Sequence, residues 1–177
     1  MRIIVSGNLV NNKRVPIRQV LKTYHNRLKQ LWRDSVKEFI LTAVDAMSID
    51  TGMSVASLQP LATKVQLRSI ILETLRGKGP KPRKGYVDLQ GVYHADQNKS
   101  RAHGERLGSH AYKLSFGTPD NPDLRFSFDI VVFQHQFHEP TWNSLQKGKE
   151  AFIAYFKSNF DAVVRVNDLI AQLVTGV

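Results

Sequence analysis

One long amphipathic segment, residues 16–49, constrains the fold of this chain more than any other feature. Its basic face carries Arg18, Lys22, Arg27, Lys29, Arg33 and Lys37. Apolar residues recur at helical steps of three and four on the opposite face, at Ile17, Val20, Leu21, Tyr24, Leu28, Leu31, Val36, Phe39, Ile40, Ala43, Val44 and Met47. Pro16 suits a first helical position, and no later Pro or Gly interrupts the segment before Gly52. The predicted helix would be roughly 50 Å long, so it either bends around a core or reaches past it.

The composition indicates one globular domain spanning residues 1–177. A chain of 177 residues with 42% hydrophobic content can bury a sizeable core without disulfides or metals. Cysteine is absent, which excludes disulfides, thiolate metal ligands and thiol catalysis. No apolar run approaches the ~20 residues of a membrane span. The apolar run of residues 1–5 is also too short for a signal peptide, so we expect a soluble protein with no membrane partner. We also expect no cofactor.

The strongest compositional bias is the net charge of +10, from 25 basic and 15 acidic residues. Such a surplus favours a nucleic acid, an anionic membrane or an acidic protein surface as partner. The simpler alternative is that the excess charge only keeps the protein soluble.

The segment after the first helix predicts a turn followed by a second helix. Asp50, Thr51 and Gly52 would form a structural turn, because Gly52 can adopt the left-handed conformation that ends helices. From Leu61 onward, apolar residues at helical spacing predict a second amphipathic helix ending at Gly77.

A basic segment then begins, and its positive residues are Arg76, Lys78, Lys81, Arg83 and Lys84. Gly and Pro are too frequent here for a helix or a strand, and residues 86–110 stay polar apart from short apolar islands at 86–87, 89 and 92–93. We therefore predict an extended basic loop over residues 76–110 that is functional or mobile. It would contact either a nucleic-acid backbone or an acidic protein.

A hairpin and a closing helix complete the predicted α+β fold, in which the first and last helices pack on a small antiparallel sheet. Residues 111–116 alternate, residues 117–123 turn, and residues 124–138 return as a long strand. That strand is apolar on both faces, so one face could be covered only on assembly. Thr141 is the expected N-cap of the last helix. The candidate subunit-interface residues are Val131, Phe133, Phe137 and Trp142.

Three possible catalytic or metal sites are weak. Residues 50–52 spell the aspartic-protease triplet, but that chemistry needs two copies in loops after strands, and here one copy follows a helix. His135, His138 and Glu139 could ligate a metal, yet residues three apart on a strand point to opposite faces. His94, His103 and His110, with Arg101, Glu105 and Arg106, could serve a nuclease, but they lack a carboxylate pair for Mg²⁺. We therefore predict no catalytic or metal-binding residues.

Two motifs resemble the neck and tail-completion (head–tail joining) proteins of tailed bacteriophages. One is Ile49-Asp50-Thr51-Gly52-Met53 after a long helix; the other is Trp142-Asn143-Ser144-Leu145-x-x-Gly148-x-x-Ala151-Phe152 after a Phe-rich strand. The resemblance implies a non-enzymatic α+β virion protein that is assembled in the bacterial cytoplasm. Its subunits would form a ring, usually a hexamer, between the head connector and the tail tube.

The resemblance also implies roles for particular residues. Asp50, Thr51 and Gly52 would form the turn after the first helix, and Trp142 and Gly148 would set the start of the closing helix. The loop 76–110 would extend toward neighbouring connector and tail-tube proteins or toward DNA, with its basic character favouring a neighbouring ring. The alternative function is a basic nucleic-acid-binding protein that uses residues 76–84.

Overall fold

The computed structural model describes residues 17–47, 49, 51–77, 84–121, 123–129 and 139–165, without the side chains of 17, 139–142 and 164. The helices in these ranges are α1 (Ile17–Ala46), α2 (Met53–Ser57), α3 (Gln59–Lys64), α4 (Arg68–Gly77), α5 (Gln97–Ala111) and α6 (Glu139–Val164). The strands are β1 (Tyr86–Val87), β2 (Tyr93–His94), β3 (Tyr112–Ser115) and β4 (Arg125–Phe128). Strands β1 and β2 form one antiparallel pair and β3 and β4 another, which confirms the α+β class.

The first helix matches the long amphipathic segment and carries much of the core. Its 30 residues extend about 45 Å, and Val36, Phe39 and Ile40 in its second half are fully buried. Leu21 on the predicted apolar face remains 40% exposed, so the buried stripe is shorter than expected. The prediction that this helix closes at residues 50–52 is wrong, because α1 ends at Ala46.

Helices α1 and α6 pack so closely that one position on α6 has no room for a side chain. A Cβ at Gly148 would lie 2.7 Å from the Phe39 carbonyl oxygen and 3.1 Å from the Ala43 Cβ. One turn earlier, the Ser144 hydroxyl donates to the Ala46 carbonyl at 2.9 Å and so satisfies an acceptor at the end of α1. Gly148 therefore permits helix contact inside α6 and does not set the start of that helix.

The start of α6 corrects a second expectation. We predicted that the closing helix begins after a cap at Thr141, but α6 already begins at Glu139. Pro140 consequently lies in the first turn, where its missing N–H costs no intrahelical hydrogen bond.

The predicted hairpin of β3 and β4 is confirmed, with Tyr112 opposite Phe128 and Leu114 opposite Phe126. Its apolar face packs on α1, where the rings of Phe126 and Phe128 lie 5.0 and 5.7 Å from the Phe39 ring. Strand β4 covers only Arg125–Phe128, so the predicted strand is too long by Leu124 and Asp129 at least. Residues 130–138 of the predicted strand lie outside the described residues.

The second predicted helix is two helices, because the chain turns at residues 65–67. The Leu67 amide donates to the Ala62 carbonyl at 2.8 Å, and the Gln66 amide donates to the Thr63 carbonyl at 3.3 Å. These two bonds form a Schellman motif, which ends α3 and requires a left-handed residue. Gln66 fills that position with φ of 65°.

The prediction of an extended loop over residues 76–110 is wrong from residue 86 onward, which is most of its length. Residues 86–94 form the β1–β2 hairpin, and α5 follows from Gln97. Asp96 begins α5 by accepting hydrogen bonds from the amides of Asn98 and Lys99 at 2.8 and 3.2 Å.

Helix α5 packs against α2 through two glycines one turn apart. A Cβ at Gly104 would collide with the Met53 carbonyl oxygen, and a Cβ at Gly108 would collide with the Ser57 carbonyl oxygen. Only glycine therefore permits this backbone-to-backbone approach. The contact fixes α5 beside α2 and α3 and positions the polar side chains of α5.

Candidate functional site

The most distinctive surface is the β1–β2 hairpin, in which apolar side chains project into solvent. Val87, Leu89, Val92 and Tyr93 have exposed fractions of 62%, 102%, 55% and 62%. Val87 and Tyr93 are directly opposite each other in the strand register and therefore share one face. We call Tyr86 to His94 the apolar hairpin.

The other face of the apolar hairpin is also exposed. Tyr86 is opposite His94, and the two rings stack with centroids 4.7 Å apart and an interplanar angle of 14°. Tyr86 is still 49% exposed. A hairpin that packed on its own domain would cover one face, whereas this one leaves apolar surface on both.

Asp88 organises the turn of the apolar hairpin. One carboxylate oxygen accepts hydrogen bonds from the amides of Gln90 and Val92 at 3.0 and 2.8 Å. The other accepts from the Nε2 of His94 at 2.8 Å. These bonds, led by the one from His94, lower the pKa of Asp88. Gly91 completes the turn with φ of 78°, a conformation that favours glycine.

The predicted basic segment lies between α4 and the apolar hairpin. Arg76 is exposed in the last turn of α4, where a cation complements the negative end of the helix dipole. Lys84 is exposed immediately before β1. Lys78, Lys81 and Arg83 lie outside the described residues, so the structure describes the two ends of this segment.

The predicted structural turn lies between α1 and α2. Gly52 is left-handed, with φ of 81° and ψ of 6°, and immediately precedes α2. A Cβ there would lie 2.8 Å from Leu75 Cδ2 and 2.9 Å from Arg101 Nε. The same Arg101 donates from Nε to the Thr51 carbonyl at 3.3 Å and from a terminal guanidinium nitrogen to the Leu75 carbonyl at 3.4 Å. Asp50 lies outside the described residues.

The three histidines of residues 94–110 are divided between the apolar hairpin, which holds His94, and α5, which holds His103 and His110. His94 bonds Asp88 in the hairpin, and the Nδ1 of His103 lies 2.8 Å from an Arg106 guanidinium nitrogen on α5. His110 is exposed in the last turn of α5. Among the described residues, no group of three His, Cys, Asp or Glu side chains could hold a metal ion.

The candidate interface residues of the late strand cannot be assigned contacts. Val131, Phe133 and Phe137 lie outside the described residues, as do His135 and His138. Trp142 and Glu139 belong to α6, but their side chains are not described.

Searches against protein-family models, curated proteins and solved structures found no match. In the described part of the chain, no helix has the length and apolar character needed to cross a bilayer. Function therefore has to be argued from the surfaces of this chain itself.

Sequence reasoning missed the apolar hairpin, although a signal for it was present. Tyr86-Val87 and Val92-Tyr93 are short runs of strand-forming residues, and Gly91 between them is a turn residue. Two-residue strands are too short for period-two alternation to stand out. The sequence shows that the residues of these strands are apolar, but it does not show that they are exposed to solvent.

Proposed function

We propose that this protein is a non-enzymatic structural subunit of a tailed-phage virion, which forms a ring in the neck or tail-completion region between head connector and tail tube. One observation supports the assembly role above all: the apolar hairpin exposes Val87, Leu89, Val92 and Tyr93 together. The phage assignment rests on the sequence resemblance.

Exposed apolar surface of this kind favours an interface because leaving it in water is unfavourable. Burying apolar surface contributes about 25 cal/mol per Å². Large contiguous apolar patches are rare on monomeric proteins and often mark interaction sites. A two-stranded hairpin is also only marginally stable alone, so packing against a partner would order it.

We propose a second copy of the chain as that partner. If the hairpin of each subunit packs on the body of the next, the contact is head-to-tail, and repeated head-to-tail contacts close into a ring when their rotation allows it. The basic residues beside the hairpin, with Arg76 and Lys84 at the ends of their segment, would remain available to a neighbouring ring of acidic character.

The test is a Leu89→Asp variant, with Gln90→Asp as its control. Both changes add one negative charge to the same exposed turn, but only the first removes a large apolar side chain. We expect rings of wild-type and Gln90→Asp protein in electron micrographs, and a folded monomer for Leu89→Asp by native mass spectrometry and circular dichroism.

Two outcomes would contradict the proposal. Wild-type protein that stays monomeric at its highest soluble concentration would argue against self-assembly. Equal assembly of both variants would show that the hairpin is not the contact. The alternative, a nucleic-acid-binding protein using residues 76–84, stays a prediction.

A further inference from the structure

A second surface, independent of the apolar hairpin, is a groove between α3, the start of α4 and α5. Its volume is about 610 Å³, and its charged lining consists of Lys64, Arg68, Arg106 and Glu105. We call this surface the basic groove. Three cations against one carboxylate leave a surplus of positive charge in one concave site.

The basic groove is built from three helices by the contacts that fix their ends. Lys64 is the last residue of α3 and Arg68 is the first residue of α4. The Schellman turn between them keeps both on the same groove. Arg106 comes from α5, which the contacts of Gly104 and Gly108 hold against α2.

Side-chain hydrogen bonds organise the α5 wall of the groove. A guanidinium nitrogen of Arg106 donates to His103 Nδ1 at 2.8 Å, which restrains its long side chain. Glu105 accepts from the amide of buried Gln59 at 3.0 Å. That bond orients the one acidic side chain of the lining.

Two local features beside the groove depart from the usual preferences of helix ends. Arg68 places a cation at the N-terminus of α4, which is the positive end of the helix dipole, and α4 has no acidic residue in its first turn. Gln66, in the turn between Lys64 and Arg68, adopts the left-handed conformation that glycine usually fills. Proteins tend to break such local rules at functional sites. An anion in the groove would offset the first of these.

The chemistry of the lining distinguishes among anionic ligands. Among the described residues no aromatic side chain lines the groove, so the bases of a single strand would have no described ring to stack on. Pro60 and Ala102 are its apolar residues, and neither is a large anchor of the kind protein partners bury. Phosphodiester contacts need only positive charge along an open surface.

We propose that the basic groove binds the phosphate backbone of duplex DNA without reading its sequence. Lys64, Arg68 and Arg106 would each neutralise a phosphate. The proposal goes beyond the assembly role and does not depend on it, since the groove and the apolar hairpin share no residue.

The test compares a groove variant with a charge-matched control. The first carries Lys64→Gln, Arg68→Gln and Arg106→Gln; the second carries Lys147→Gln, Lys149→Gln and Lys157→Gln on the exposed face of α6. Binding of mixed-sequence duplex DNA is measured by fluorescence anisotropy over a range of salt concentrations. Both variants lose the same charge, so a difference between them reports the position of that charge.

The expected result follows from counterion release. Each neutralised phosphate contributes about −0.9 to the slope of log affinity against log salt, so loss of three contacts should flatten the slope by about 2.7. From 50 to 200 mM salt, wild-type affinity should then fall about 40-fold more than that of the groove variant. The α6 control should keep nearly the wild-type slope.

A single substitution tests the same site by a change that should raise the DNA affinity instead of lowering it. Glu105→Gln removes the opposing charge but retains an oxygen that can accept from Gln59. DNA affinity at low salt should rise about 2- to 5-fold, in line with the modest worth of exposed charge contacts.

Three outcomes would overturn the proposal. Equal losses of slope in the groove variant and the α6 control would indicate diffuse attraction by net charge. If polyglutamate of matched charge displaces the DNA and binds more tightly than it, the groove is a site for an acidic protein. Unchanged binding by the groove variant would exclude the groove from any DNA contact.

Discussion

Replacing Gly108 by alanine tests the close backbone contact between α5 and α2. Gly108 lies in α5, where an added Cβ would collide with the Ser57 carbonyl oxygen and lie 2.7 Å from the Ser57 carbonyl carbon. Carbon-to-oxygen contacts at helix interfaces normally settle at about 3.3–3.6 Å. The obstacle is backbone, so a side-chain rotation cannot relieve it, and α5 must move away from α2.

The magnitude follows from two opposing effects. Overpacking of this kind costs about 1–3 kcal/mol, and a backbone obstacle favours the upper end. Alanine regains about 1 kcal/mol of helix propensity relative to glycine. We therefore expect Gly108→Ala to lower the free energy of unfolding by about 2 kcal/mol. In a chain of this size, that loss corresponds to a Tm lower by roughly 4–8 °C.

The measurement is urea denaturation followed by circular dichroism, with Gly77→Ala as the matched control. Gly77 is the last residue of α4, and a Cβ there would have no atom of the described residues within 4 Å. That change should raise the free energy of unfolding by about 0.4–1 kcal/mol, because it restricts the unfolded chain without a clash. If both alanines stabilise the protein, α5 and α2 do not approach as closely as described, and the reasoning is refuted.

Two further predictions concern a strained turn and a buried phenol. Gln66→Gly should raise the free energy of unfolding by about 0.5–1 kcal/mol in urea titrations, because it relieves a left-handed residue, and a loss would contradict that conformation. Burial raises the pKa of Tyr112 far above its ordinary value, while hydrogen bonding with Ser57 opposes the shift. The unfolded chain therefore loses this proton first, and the free energy of unfolding should fall above pH ~10 by about 1.4 kcal/mol per unit. Tyr112→Phe should abolish that decline, and an unchanged decline would locate the titration elsewhere.

The parts of the fold that sequence patterns predicted are those with large apolar faces. The α1 helix repeats apolar residues at helical spacing, and the β3–β4 hairpin alternates around Gly117. In both cases most of the buried residues are themselves apolar, as Phe39 and Tyr112 illustrate, although α1 also buries His25 and Ser35. Hydrophobic periodicity reports secondary structure directly when the core takes this form.

Helix α5 was missed because its buried face is not hydrophobic. The buried residues are Gln97, Gly104, Gly108 and Ala111, which recur at helical spacing but offer small or polar side chains. Glycines also argue against a helix when propensity alone is weighed. Asp96 was the one usable local signal, as an N-cap residue before a polar run.

The two candidate surfaces differ in how far the sequence could lead. The basic charge of the chain and its apolar islands at 86–87, 89 and 92–93 can be read directly from the sequence. The grouping of Lys64, Arg68 and Arg106 in one groove cannot be read from the sequence, because it depends on the packing of α3 and α4 against α5, some forty residues later in the chain. No local pattern encodes which two helices will pack together.

The sequence by itself determined the α+β class, the long first helix, the late hairpin and the surplus of positive charge. Each of these depends on residue type and on spacing between near neighbours. Only the tertiary structure decided where α5 lies, which cations share a groove and which apolar residues stay in water. Those outcomes depend on backbone approach at Gly104 and Gly108 and on burial by segments distant in sequence. The spacing of residues along the chain predicts neither the close backbone approach of two helices nor burial by a distant segment.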